Sequence, residues 1–379
     1  MNDEINEQTR LVCEGSTAPL TQTPVVGTPS ASYPMTFVPD AEELAADEVR
    51  VTILGSGDPF VRPSQASASI LIEVGNEERD LFFFDLGSGA LKNFDGLRLP
   101  VTATTKVFLT HLHADHVGDM PTLIYSMAKA GRRDPVEVWG PSGATEALGT
   151  CAYLDQLQVA HAWDQQSLCG HPGQSGARAI TTEVPHDTAA TPYVRNGVTI
   201  SSFPVIHMQD GAVGYRLDYA GRSVVFSGDT RPCRTLVDAA QGADLLIHET
   251  FPSPSVYAQK AGVPPAFAEA VVNGVHTSPT MAGRVFAKAG ARMSVMWHLA
   301  VDHDTVGSAH REMRTQYDGP VTIAQDLTVF NLTADGLVVR QAVVDPFPWP
   351  VLGPTRVSGP PMTEPHAPPA WWAGALLTD

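Results

Sequence analysis

Between Thr110 and Asp119 the chain reads THLHADHVGD, which places His111, His113, Asp115 and His116 within six consecutive positions. The stretch follows an apolar run, Lys106-Val-Phe-Leu-Thr110, that reads as a strand. Residues two apart in an extended segment project to the same side, so His111 and His113 can bind one cation together. Asp115 and His116 come where the chain turns toward a helix, aimed at an adjacent position. Nitrogen and oxygen donors clustered in this way suit zinc or a similar divalent metal. Three further donors end apolar strands: His207 after Ile206, Asp229 in Phe226-Ser-Gly-Asp-Thr230, and His298 after Val295-Met-Trp297. Any one of them alone reads as an ordinary polar turn residue. Together with the cluster they predict one centre. His303, in Asp302-His-Asp304, competes with His298 as a donor, but its surroundings predict an exposed loop.

The elements that must position these donors fall into two groups. Strands over 48–54, 68–74 and 80–85 precede the strand at 107, a helix from about Val117 to Ala130 and a strand at 136–140. After residue 197 come strands at 198–206, 214–219 and 223–226, then a helix near 232–241, a strand at 244–247, a helix near 279–289 and a strand at 292–297. The strands are short β-branched or aromatic runs closed by turn residues. Two strand-rich halves, each finished by helices, predict an α/β fold, a four-layer αββα sandwich over residues 47–345. Residues 1–46 read as an extended or disordered arm, and residues 346–379 as a Pro-rich tail. Residues 151–196, with three histidines, a tryptophan and many turn residues, read as a partly helical insertion placed to cover an active site. Its His161, Trp163 and His171 are candidate substrate contacts.

Composition narrows the partners. Lys and Arg total 24 against 41 Asp and Glu, a net charge of −17, and such a surface repels phosphate backbones. Nucleic acid is therefore expected to be an unlikely partner. The four cysteines, Cys13, Cys151, Cys169 and Cys233, contain no CxxC pair and read as free thiols of a reducing compartment, with a Cys151–Cys169 bridge left open. The N-terminal stretch has neither the basic nor the apolar region of a signal peptide, and no apolar run is long enough to span a membrane. The expectation is a cytoplasmic protein with no membrane partner.

HLHADH together with the later donors resembles the metallo-β-lactamase superfamily, over about Val51 to Leu327. Within it the chain looks most like the ribonuclease Z and arylsulfatase branch, through Gly214-Tyr-Arg216, Phe226-Ser-Gly-Asp-Thr-Arg231, His248-Glu-Thr250 and Val275-His-Thr-Ser278. The resemblance implies that His111, His113 and His207 hold one metal, that Asp115, His116 and His298 hold a second, and that Asp229 bridges them. It gives Asp85 the bracing of the metal loop, Asp115 the orientation of the attacking water, and Glu249 with His276 a proton-donating role. It implies a metal-dependent hydrolase with two Zn2+ per chain, the same ligands also accepting Mn2+ or iron, and a homodimer.

One departure bears on the substrate. Only Leu217–Val225 separate Arg216 from Phe226, which leaves no room there for an RNA-gripping arm, and residues 151–196 carry just Arg178 and Arg195 and no lysine. The expectation is a small-molecule substrate: a lactone, ester, phosphoester or sulfate ester. A ribonuclease Z-like phosphodiesterase acting on RNA and an iron-dependent oxidoreductase are the alternatives, with a non-catalytic binding protein behind them.

Overall fold

Two β-sheets face one another across an apolar core in the computed structural model, which describes residues 22–352 and 367–377. The first sheet contains β1 (Val25–Gly27), β2 (Thr36–Phe37), β3 (Val49–Gly55), β4 (Ser69–Val74), β5 (Leu81–Phe84), β6 (Lys106–Phe108), β7 (Val136–Pro141), β8 (Ala179–Val184), β16 (Thr328–Leu332) and β17 (Gly336–Ala342). Its order is β1-β17-β16-β3-β4-β5-β6-β7-β8, with β2 also on β17. The second contains β9 (Ala190–Arg195), β10 (Val198–Pro204), β11 (Val213–Tyr219), β12 (Arg222–Phe226), β13 (Leu245–Glu249), β14 (Met293–Trp297) and β15 (Val321–Ile323), in the order β15-β14-β13-β12-β11-β10-β9.

Both sheets change from antiparallel to parallel pairing at a matching place. β3, β4 and β5 are antiparallel and β5 to β8 parallel. β10, β11 and β12 are antiparallel and β12 to β15 parallel. Parallel neighbours need crossovers, and these bring helices onto the outer faces. In the first half they are α1 (Ala90–Gly96), α2 (Ala114–Val117), α3 (Met127–Lys129), α4 (Thr150–Ala160) and α5 (Ala162–Ser167). In the second they are α6 (Arg234–Ala239), α7 (Pro254–Ala261), α8 (Pro265–Gly274), α9 (Pro279–Ala289) and α10 (His303–Arg314), and a short α11 (Trp372–Ala375) lies near the C-terminus.

Three apolar clusters separate the layers. Ile53, Phe84, Phe108, Tyr215, Phe226 and Trp297 lie between the sheets. Leu91, Phe94 and Leu123 pack helices on the first sheet, and Leu236, Phe286 and Met313 pack helices on the second. This is the four-layer αββα sandwich. Phe108 stacks on Trp139 with centroids 4.6 Å apart, and Tyr215 meets Phe108 edge-on at 5.5 Å. Such pairs add about 0.5–1.5 kcal/mol each beyond their buried area. The polar tips are satisfied: Tyr215 donates to the Leu109 carbonyl and the Trp297 indole to that of Gly55, both at 2.9 Å.

Several elements depart from the sequence reading. The helix expected over 117–130 starts at Ala114 and is interrupted by a π-turn at Thr122–Ser126. The buried Arg132 guanidinium donates to the Leu123 and Ile124 carbonyls at 2.8 Å, satisfying acceptors at this wide turn. In the 151–196 segment, β8 and β9 are edge strands of the two sheets, so part of it builds the sandwich. Of the 1–46 arm, β1 and β2 are laid on β17, while residues 1–21 are outside the described residues. Cys151, Cys169 and Cys233 are free thiols, so the 151–169 bridge is absent, and Cys13 is outside the described residues. His303 is an exposed residue in the first turn of α10 rather than part of a loop. Among the described residues no helix is long and apolar enough to cross a membrane.

Candidate metal centre

The loop that carries the histidine cluster is pinned at both ends by one carboxylate. Asp85 follows β5 with φ 55°, a left-handed conformation that non-glycine residues seldom adopt and that often marks functional sites. It accepts hydrogen bonds from the Thr110 N–H and hydroxyl and from His116 Nδ1, all at 2.7 Å. The last bond fixes the His116 tautomer and turns Nε2 inward, as a bracing carboxylate does. Burial pushes the Asp85 carboxyl upward, against the pull of His116 and Thr110.

From this base three overlapping groups of donors converge, with the ligand atoms of each within 4.8 Å of one another: His111, His113, His207 and Asp229; Asp115, His116, Asp229 and His298; and, beside them, His207, Asp229, Glu249 and His276. Asp229 belongs to all three. Its Oδ2 lies 3.9 Å from His111 Nε2 and 3.8 Å from His207 Nε2, while Oδ1 lies 3.2 Å from His116 Nε2 and 3.4 Å from His298 Nε2. His113 Nδ1 is 3.0 Å from His111 Nε2 and 3.2 Å from His207 Nε2. Two nitrogens bound at 2.0–2.1 Å to one tetrahedral cation would stand about 3.3 Å apart. His116 Nε2 and Asp229 Oδ1, though close, form no hydrogen bond and are buried without partners. Buried polar atoms without partners are costly, so atoms aimed at a common point fit a cation there.

Charge gives the same answer. Burial opposes ionising Asp229, yet His298 and His116 outweigh it and hold the carboxyl well below its usual range. Asp115 is lowered to about 2, against burial, by His116 and His298. His298 is lifted to about 9, against burial, by Asp229 and Asp115. This side of the centre demands positive charge. On the other side, burial lowers His207 to about 4, leaving a neutral imidazole whose lone pair is free to bind.

Beside the centre, Glu249 is fully buried and stands 3.1 Å from His276 Nδ1. It accepts from the Thr230 N–H at 2.6 Å and the Thr277 N–H at 3.3 Å, and the His276 ring stacks on Phe251 with centroids 4.5 Å apart. The Thr230, Thr277 and Phe251 contacts escaped the sequence reading, since each lies next to a flagged residue without a pattern of its own. So did Gly228 (φ 58°), where a Cβ would sit 2.6 Å from the Thr110 side chain. Only glycine lets the loop after β12 close against the histidine loop.

The structure gathers His111, His113, Asp115, His116, His207, Asp229, His298, Glu249 and His276, with Asp85 beneath them. It leaves out the candidate substrate contacts. His161 stacks on Tyr125 with centroids 5.3 Å apart, Trp163 is 86% exposed, and His171 caps its own turn at the Gly173 N–H. α5 folds back on the π-turn, away from the donors. The cavity that opens on His111, His113 and His207, about 780 Å³, is lined instead by Tyr153 and Gln156 of α4.

The chain matches the family described as "Beta-lactamase superfamily domain" over residues 84–299, more than half its length. The ribonuclease Z of Mycobacterium avium (strain 104) is 30% identical over 254 residues, 66% of this chain and 85% of the relative. That of Methanosarcina acetivorans is 24% identical over 313 residues, 74% of this chain and 96% of the relative. Among solved structures, the metallo-β-lactamase fold protein YhfI from Bacillus subtilis aligns with a TM-score of 0.56 at 21% identity, over 76% of this chain and 100% of that one. The short form of human tRNase Z aligns with a TM-score of 0.53 at 21% identity, over 74% and 98%. These relatives overturn two expectations, the small-molecule substrate and nucleic acid as an unlikely partner, because the matching enzymes are named as ribonucleases. The net charge misled because it sums a whole surface, whereas phosphate is met only locally. By its matched domain, its donors and its relatives, the chain belongs to the metallo-β-lactamase superfamily, as a hydrolase related to the ribonucleases Z.

Proposed function

We propose that the protein is a metal-dependent phosphodiesterase of the ribonuclease Z type that hydrolyses RNA. In this reading His111, His113 and His207 would hold one zinc ion, Asp115, His116 and His298 would hold a second, and Asp229 would be shared by the two groups. The placement of Asp229, one oxygen toward each histidine group, supports the metal pair, and the likeness to the ribonucleases Z supports RNA as the substrate. Divalent cations supply, when bound, an acidified water and positive charge against the phosphate oxygens. The chain's own residues do the rest. Asp85 holds the loop so that the donors need no rearrangement, and Asp115 orients the attacking water. His276 gives its proton to the leaving oxygen, held for this by the buried Glu249.

The test is metal analysis of the purified protein, followed by cleavage of a structured RNA with a 3′ extension, with Asp229→Ala as the control. About two zinc ions per chain and RNA cleavage lowered by at least ~10³-fold in the variant are expected, since one change removes a ligand from both sites. A fully metal-loaded protein that leaves RNA intact would refute the reading.

A further inference from the structure

Two cavities near the helices and loops of the centre differ in charge. The one over His111, His113 and His207 is lined by Glu146 and Asp210 and by no lysine or arginine. A second, about 590 Å³, lies between α6 and α9, where Arg234, Arg284 and Lys288 face a single carboxylate, Asp238. The three cations are exposed, and among the described residues none of them is in an ion pair. Arg284 donates from Nε to the Gln316 side-chain oxygen at 3.0 Å. In a chain with 41 acidic residues and 24 basic ones, a groove with three cations and one carboxylate calls for a reason.

Their place in the fold supplies one. α6 begins at Arg234, directly downstream of Asp229-Thr230-Arg231, and α9 begins at Pro279, directly downstream of His276. Both helices follow parallel strands and run away from the ends of those strands that carry the centre. Arg284 and Lys288 are one turn apart on the same face of α9, with Cβ atoms about 6 Å from each other. Lys288 stands about 14 Å along the axis from the start of α9. The two helices that line the groove thus both start at the end of the sheet that carries the centre and run outward from it with three cations between them, while the cavity over the histidines is lined by carboxylates.

We propose that the groove between α6 and α9 is the track that holds the phosphate backbone of the RNA beyond the cleaved bond, in place of a protruding arm. This rests on the ribonuclease reading above. Three phosphate contacts would release about two to three counterions, which makes binding steeply salt-dependent.

The experiment compares the full-length metal-loaded protein with the triple variant Arg234→Glu, Arg284→Glu, Lys288→Glu. Surface replacements of this kind leave the fold essentially unchanged, which thermal melting checks. Both proteins are assayed on the 3′-extended RNA and on bis(p-nitrophenyl) phosphate, which is too small to reach the groove. The expected result is a fall in kcat/KM on RNA of roughly 10–100-fold at ~0.1 M salt, with a salt slope shallower by about two to three. Hydrolysis of the small diester stays the same. Equal RNA cleavage and equal salt slopes in the two proteins would overturn the track while leaving the ribonuclease reading standing. A wild-type protein that hydrolyses the small diester but neither binds nor cuts RNA would overturn both.

Discussion

β5 and β12 hold equivalent places in the two sheets, each the last antiparallel strand before a parallel neighbour, and each is followed by an aspartate of the centre. The two aspartates do different things. Asp85 is sealed beneath the histidine loop with every contact spent on holding it, whereas Asp229 faces the donors with one oxygen unpartnered. The halves differ in the same way. The first delivers four donors from one short loop. The second delivers His207, Asp229 and His298 from the ends of β10, β12 and β14, one at a time. A site in the first half is therefore a matter of local backbone, and in the second it depends on strand register and on the core that sets it.

This contrast can be broken experimentally. Phe226 lies in the shared core, 4.9 Å from Trp297 and 6.2 Å from Phe84, directly before the Ser-Gly-Asp turn. Phe226→Ala is expected to cost about 3–5 kcal/mol in chemical denaturation. It should also lower metal content, because the strand that positions Asp229 is loosened. Full metal content in a destabilised but folded variant would show that the second half's donors do not need the register.

A smaller effect is expected from Asp85→Asn, which keeps the shape but weakens the hold on Thr110 and His116. Metal affinity, followed by competition with a chelator, should fall about 10–100-fold with the ligands all present. If the loss equals that of Asp229→Ala, bracing and bridging are not distinct roles and the comparison fails.

The smallest effect lies on the outer face of the first sheet, away from the centre. Burial raises the Glu73 carboxyl from 4.5 to about 7, with Arg50 at 3.7 Å opposing the shift. The folded state thus favours the protonated form. Its contribution to stability is fully present below pH 4.5 and is lost as pH rises through 7. Glu73→Gln should flatten the stability profile over that window by on the order of 1–3 kcal/mol, read from denaturation midpoints at several pH values. An unchanged slope would exclude Glu73 as its source.

What could be read in advance follows from the same contrast. The histidine loop was legible because its donors are consecutive, and the strand-end donors because each closes an apolar run. α7 and α8 were missed although Pro254 and Pro265 stand at their starts, a position proline favours, because the stretch between Thr250 and Val275 has weak apolar periodicity. β8 and β9 read as part of an insertion because they are largely exposed edge strands, which lack the full alternation of a half-buried strand. The substrate was misread because net charge, a sum over the whole chain, was taken to describe every part of its surface.

The two short strands near the N-terminus have a further meaning. Val339, Gln341 and Val343 donate their amides to Pro24, Met35 and Phe37. Left open, such a ladder would invite any extended chain to pair with it, the usual route from a soluble sheet to aggregation. By folding its own leading segment onto that border, the protein spends a few residues of little regular structure as a guard against sticking to itself.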